Sequence, residues 1–288
     1  VIQACAGSLG PIIPPSLTMI IYCSLTGLSI GECFMAGVIP GLIIGLGVAV
    51  VTYFYARRLG IKGDERVPYR ERLTAIKDGI LAIIMPLIII GGIVSGVFTP
   101  TESGAIAVIY ALVIGMFVYK EFTYRELPRI FLKAASMTGM ALLIVAGASI
   151  FSWLVAYEKF PKMIITFLTG LTDNKYVIMM LLVLFLLFVG MFIETLSATI
   201  ICAPILMPVA AQYGIDPIQF ALIMVITLVY AGVTPPVGGV LFITMGIAKA
   251  KMKEALTYLA PYLGIICIVL LLLIFVPQIS LLLPRLLF

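Results

Sequence analysis

Three short stretches hold the polar chemistry of this chain. "GPIIPPS" (10–16) and "VTPPVGG" (233–239) each set two adjacent prolines among glycines and hydroxyl residues. "GMFIETLSAT" (190–199) places Glu194, Thr195, Ser197 and Thr199 between two apolar arms. Proline has no N–H and frees the carbonyl one turn earlier. A segment broken at Pro14-Pro15 or Pro235-Pro236 therefore presents unpaired carbonyls from its first half and N–H groups from its second. Carbonyls suit a hard cation such as sodium, and a half-helix N-terminus suits a carboxylate. A single proline in a membrane helix would read as a kink. A doubled proline repeated at matched positions, flanked by Gly7, Gly10, Gly238, Gly239, Ser8, Ser16 and Thr234, reads as a site. Glu194 is the one carboxylate deep in an apolar segment. It reads as a cation partner, a protonatable coupling group, or a cap accepting N–H groups of the second arm.

Enzyme chemistry finds little to work with. The chain has no histidine, which excludes Ser/His and Cys/His dyads and HExxH zinc sites. It has no P-loop, and Asp64, Asp78, Asp173 and Asp216 all fall in or beside expected loops, so no aspartate pair forms an intramembrane protease. Five cysteines, Cys5, Cys23, Cys33, Cys202 and Cys267, are scattered without CxxC spacing. They read as buried small hydrophobes rather than as a metal site or disulfide framework.

The elements that must position these residues are membrane helices. Hydrophobic residues make up 63% of the chain, against roughly 45–50% in soluble domains. Apolar stretches near the roughly 17–25 residues of a spanning helix recur at 35–56, 79–98, 104–119, 136–157, 176–192, 217–246 and 258–277. No alternating barrel-type strands are evident. The chain opens at Val1 inside an apolar run with no signal peptide, and further residues are expected upstream. A nucleic-acid surface would need a folded polar domain that is lacking here.

Lys and Arg gather in three places: Arg57, Arg58, Lys62, Arg66, Arg70, Arg72 and Lys77; Lys120, Arg125, Arg129 and Lys133; Lys249, Lys251 and Lys253. The positive-inside rule puts all three in the cytoplasm. Shifting the chain by 221 residues carries Pro14, Pro15 and Pro40 onto Pro235, Pro236 and Pro261. The link after the first broken segment, "LSIGECFMA" (28–36), has no basic residue, whereas the link after the second, "KAKMKE" (249–254), is basic. The two units then cross in opposite senses, an inverted-topology repeat of the kind secondary transporters use. Parity leaves 176–213 entering and leaving on the external face, a re-entrant hairpin with Gly190–Thr199 at its tip. Thr99-Pro100-Thr101-Glu102 predicts a capping box starting helix 100–119, and Asp216-Pro217 predicts another helix start. Trp153 with Tyr157 reads as an interfacial anchor. Loop 57–77 reads as a solvated linker, with an inner-leaflet amphipathic helix as the alternative.

"GSLGPIIPPSLTMIIY" (7–22), "GVFTPTESGAIAVIYAL" (96–112), "GMFIETLSATIICAPILMPVAAQYGIDPIQFALIM" (190–224) and "AGVTPPVGGVLF" (231–242) resemble the large membrane subunit of tripartite ATP-independent periplasmic (TRAP) transporters, and the likeness covers essentially the whole chain. It implies an all-α polytopic fold of the elevator type, with inverted repeats, broken helices and hairpins. It also implies a multi-pass protein of the bacterial inner membrane that imports organic acids with sodium, partnered by a small four-helix membrane subunit and a periplasmic substrate-binding protein. The inner hairpin that the family places before Gly7 is absent, so the chain resembles a C-terminal portion.

On that resemblance the chain divides into 1–57 (first broken helix and the helix after it), 58–78 (basic linker), 79–175 (scaffold-type helices and an external segment), 176–213 (outer hairpin), 214–248 (second broken helix) and 249–288 (cytoplasmic link and last helix). Sodium is expected near Gly7, Ser8, Gly10, Pro11 and Pro14, and near Gly190, Glu194, Thr195, Thr234 and Gly238. An organic acid, a C4-dicarboxylate, sialic acid or similar, is expected at Ser16, Glu194, Thr195, Ser197, Thr234, Pro235 and Pro236. The alternatives are a sodium/dicarboxylate symporter that needs no binding protein, and a helical channel subunit.

Overall fold

The computed structural model describes residues 1–61, 68–249 and 252–288. Lys62, Asp64, Arg66 and Lys251 of the basic clusters and loops lie outside the described residues. Thirteen α-helices form among those described: α1 (Ile2–Gly7), α2 (Leu17–Thr26), α3 (Ile30–Arg58), α4 (Tyr69–Val94), α5 (Pro100–Val113), α6 (Leu127–Tyr157), α7 (Phe160–Thr169), α8 (Lys175–Phe192), α9 (Thr195–Gln212), α10 (Pro217–Ala231), α11 (Gly239–Ala248), α12 (Met252–Phe275) and α13 (Gln278–Leu287). Seven helical spans are long and apolar enough to cross a membrane. The protein is an all-α, multi-pass membrane protein.

The chain divides into two compact units, Val1–Gly60 with Gly147–Phe288, and Ile61–Ala146. The smaller unit is a helical hairpin, α4 against α5, followed by the first half of α6. Thr99 starts α5 with a reciprocal capping box to Glu102, with Pro100 at the first helical position, and the Tyr110 hydroxyl donates to the Leu81 carbonyl across the pair (2.8 Å). Few of its side chains are buried, and leucines and isoleucines such as Ile83 and Leu87 face outward. Helices apolar all round are those whose surroundings are themselves apolar.

Several boundaries differ from the sequence reading. Tyr69, Arg70 and Arg72, expected in a solvated linker, lie in the first turn of α4, because the helical pattern of the span simply runs on through them. Helix 100–119 ends as α-helix at Val113 and continues as a π-helical turn, Ile114–Val118. The helix expected at 136–157 begins at Leu127 and passes from one compact unit into the other, so segment 79–175 is not one body. The single last helix expected in 249–288 is two, because Val276-Pro277 interrupts it and Pro277 caps α13, which packs along α3. Trp153 and Tyr157 stack at 5.3 Å between ring centroids, both on the exposed side of α6. Cys5, Cys23, Cys33 and Cys202 are buried, as small hydrophobes should be, but Cys267 is exposed on α12.

The larger unit contains the repeat. Shifted by 221 residues, α2 falls on α11 and α3 on α12 to within a residue at their starts, with Pro40 and Pro261 inside the latter pair. The copies run antiparallel. Gly47 of α3 abuts Ile265 of α12, the Thr52 hydroxyl lies 3.0 Å from that of Tyr262, and the ring of Tyr55 meets that of Tyr258 at 5.2 Å. Residue numbers rise on one helix as they fall on the other.

Candidate functional site: two broken helices and a hairpin tip

The first broken segment ends α1 at Gly7. There the Ser8 N–H and hydroxyl both donate to the Ala4 carbonyl, and short turns carry the chain through Leu9–Ile13. A cis Pro14-Pro15 peptide follows, and α2 begins after Ser16. The Ser16 hydroxyl donates to the Pro11 carbonyl and accepts the Met19 N–H (3.2 Å), so it both closes the break and caps the new helix. In the second copy α10, started by Asp216 accepting the N–H groups of Ile218 and Gln219, ends at Ala231. A cis Pro235-Pro236 peptide follows, and α11 starts after Gly238, whose positive φ of 54° suits glycine. Val237 stands where the first copy has Ser16, and here the Val240 N–H finds the Gly232 carbonyl instead.

Counting backbone partners shows how alike the breaks are. Among the described residues, the carbonyls of Ser8, Ile12, Ile13, Pro14 and Pro15 accept no hydrogen bond, and neither do those of their equivalents Val229, Val233, Thr234, Pro235 and Pro236. The N–H groups of Ser16, Leu17 and Thr18 have no acceptor, and neither do those of Val237, Gly238 and Gly239. Gly10 adds a further free carbonyl to the first break. Unpaired peptide groups of this kind persist at membrane depth only where protein or a polar cavity receives them.

The hairpin of α8 and α9 reaches both breaks. Its feet come together, with Lys175, Tyr176, Gly214 and Ile215 around one small gap. Each arm has 18 residues, about 27 Å of helix, and the turn between them is Ile193-Glu194. The Glu194 carboxylate accepts the N–H groups of Leu196 (2.9 Å) and Ser197 (3.1 Å), capping α9. Gly190 lies so close to α10 that a Cβ there would sit 2.6 Å from that of Ala231. The tip thus stops level with the second break, partway along the 217–248 segment.

Two cavities flank the tip. One, of about 420 Å³, has Gly7, Ser8, Gly10 and Pro11 on one side and Glu194 and Thr195 on the other, with Leu17, Thr18 and Val229 completing it. The other, of about 440 Å³, lies between Gly190–Thr195 and the second break at Gly232, Val237 and Gly239. Glu194 and Thr195 border both. The first cavity is bordered by residues with free carbonyls (Ser8, Gly10, Val229) and by residues with free N–H groups (Leu17, Thr18).

Several residues expected at the site fall elsewhere. Ser16 is buried, with its hydroxyl committed within its own break. The Thr234 hydroxyl donates to the Tyr230 carbonyl (2.8 Å). Pro14, Ser197, Pro235, Pro236 and Gly238 border neither cavity. Leu17, Thr18, Val229, Val237 and Gly239 were not foreseen. Their apolar or small side chains give no signal, and what qualifies them is a free main-chain group beside a cavity.

Residues 1–279 match the family described as tripartite ATP-independent periplasmic transporter, DctM component. The chain is 36% identical over 280 residues to a C4-dicarboxylate TRAP transporter large permease protein of Pseudomonas aeruginosa, covering 97% of this chain and 66% of that protein. It is 36% identical over 278 residues to a sialic acid TRAP transporter large permease protein of Vibrio cholerae (96% and 65%). It is 35% identical over 279 residues to a 2,3-diketo-L-gulonate TRAP transporter large permease protein of Escherichia coli K12 (97% and 66%). The chain therefore spans about two thirds of the length of these relatives.

Proposed function

The chain belongs to the DctM-component family of tripartite ATP-independent periplasmic transporters, and we propose that it forms the transport site of a large permease subunit that imports carboxylate-bearing organic acids with sodium across a bacterial inner membrane. The observation that carries this reading is the matched set of free peptide groups at two antiparallel breaks, beside cavities that share Glu194 and Thr195. Free carbonyls supply the oxygen shell a hard cation requires. Free N–H groups at the starts of α2 and α11 supply the partial positive charge that holds a carboxylate. A cation seated among the carbonyls favours an anion nearby, and by linkage the anion favours the cation equally. This is the physical content of coupling. Glu194 serves as the cap that fixes the tip and brings a negative charge to the cation side of both cavities.

The substrates named for the three relatives share a carboxylate, which fits this donor set and leaves the rest of the solute unassigned. A small four-helix subunit and a periplasmic substrate-binding protein complete the transporter in this reading. Transport comes from movement of the hairpin and broken helices against helices of the scaffold. The test is uptake of labelled C4-dicarboxylate or sialic acid into proteoliposomes holding the full-length permease with its small subunit. Saturable uptake requiring both an inward sodium gradient and the binding protein is expected. Uptake without the binding protein would favour a simple symporter, and ohmic current without saturation would favour a channel.

A further inference from the structure

Cys23 and Cys33 are nine residues apart in a sequence that shows no cysteine motif, yet the fold puts them face to face. Cys23 lies in the last turn of α2 and Cys33 in the first turn of α3, on either side of the corner Gly27–Ser29. Both border one tight gap against Ile218 and Leu222 of α10, both are buried, and their thiols are within hydrogen-bonding reach of each other. The remaining contact of the Cys23 sulfur is a long one, 3.8 Å to the Ser29 carbonyl. The nearby Tyr22 hydroxyl is buried without a partner, so nothing else in the gap competes for the thiols. The corner lies at the opposite end of α3 from Arg57 and Arg58, and the charge asymmetry of the loops places that end outside the cytoplasm, where thiol pairs meet oxidants.

We propose that Cys23 and Cys33 form a redox-active dithiol that closes to an intramolecular disulfide by exchange with an external disulfide donor. One cysteine, as thiolate, attacks a sulfur of the donor and forms a mixed disulfide, releasing the other donor sulfur as a thiol. The second cysteine, as thiolate, then attacks the mixed disulfide at the first cysteine's sulfur and releases the rest of the donor. The pair loses two protons and two electrons, and the donor disulfide gains them as two thiols. Exchange proceeds through the corner, where Gly27 and Ser29 are exposed. The closed bond staples the second half of the first broken helix to the helix that follows it.

The experiment is peptide mapping of the full-length permease in its native membranes, treated with oxidised glutathione, quenched in acid and alkylated under denaturing conditions. The expected result is one peptide linked between Cys23 and Cys33, lighter by two hydrogen atoms than its reduced form. An accompanying rise in melting temperature should reverse with a membrane-permeable phosphine. Cys23→Ser and Cys33→Ser should each abolish the link, and Cys267→Ser should leave it. Two alkylated cysteines, glutathione retained on either one, or a link to Cys5 or Cys202 would overturn the proposal. The mapping on the unmutated chain stands whether or not the variants fold. It is also independent of uptake, so failure of the transport reading and failure of this one are separate results.

Discussion

The two breaks share a backbone and differ in what holds it. In the first, Ser16 ties the loop to α2 through the Pro11 carbonyl and the Met19 N–H, and the Ile12 carbonyl rests against Gly37 of α3 at a distance that would leave a Cβ 2.5 Å away. In the second, exposed Val237 replaces the serine, no side chain caps α11, and the close neighbour is Gly190 of the hairpin. One break is locked onto the helix that follows it, and the other leans on a hairpin. The comparison teaches that a duplicated pattern of free peptide groups is compatible with unequal mobility, and it assigns the looser copy to the side that meets the tip.

Substituting the two close-approach glycines tests that contrast most severely. Gly37→Ala drives a methyl into the Ile12 carbonyl and Gly190→Ala drives one into Ala231, and each overpacking is expected to cost about 1–3 kcal/mol. Melting curves in detergent should show the full cost for Gly37→Ala. For Gly190→Ala the hairpin can tilt, so uptake should fall further than stability does. Equal stability losses with unchanged uptake in both would erase the distinction between the breaks.

Glu194→Gln keeps an acceptor for the Leu196 and Ser197 N–H groups while removing the charge. Sodium-driven uptake should fall about tenfold, equivalent to roughly 1.4 kcal/mol, with assembly preserved. Normal uptake in that variant would reduce Glu194 to a cap. Ser16→Ala removes the side-chain closure of the first break and should lower stability by about 1 kcal/mol. Val237→Ala, at the equivalent position, should leave the melting temperature nearly where it was, and a comparable drop there would mean the second break is held as tightly as the first. Tyr22→Phe is the smallest change. Its buried hydroxyl has no partner, so removal should be neutral or stabilising by up to about 1 kcal/mol, and a clear destabilisation would reveal a partner for it.

Much of this was legible before any coordinates. The doubled prolines announce both breaks because no helix runs through them. The Thr99–Glu102 box and Asp216-Pro217 announce helix starts because capping is local chemistry. Other features escaped for definite reasons. Ser16 reads from sequence as a ligand, but a hydroxyl next to a break has backbone partners closer than any solute, and the Pro11 carbonyl takes it. Val276-Pro277 ends α12 inside an apolar run that hydropathy alone reads as continuous. The approach of Cys23 to Cys33 depends on the angle at Gly27–Ser29, which composition does not encode. The cavity-lining roles of Leu17, Val229 and Val237 belong to peptide groups, so the residue letters are silent about them.

That silence has a practical result for genetics. Since the free carbonyls at Ile12–Pro15 and Val233–Pro236 come with every residue type, exchanging side chains there leaves the oxygens in place, and alanine scans across these loops will understate their worth. Replacing single amides by esters, which weakens one carbonyl at a time, is the perturbation matched to a binding shell made of main chain.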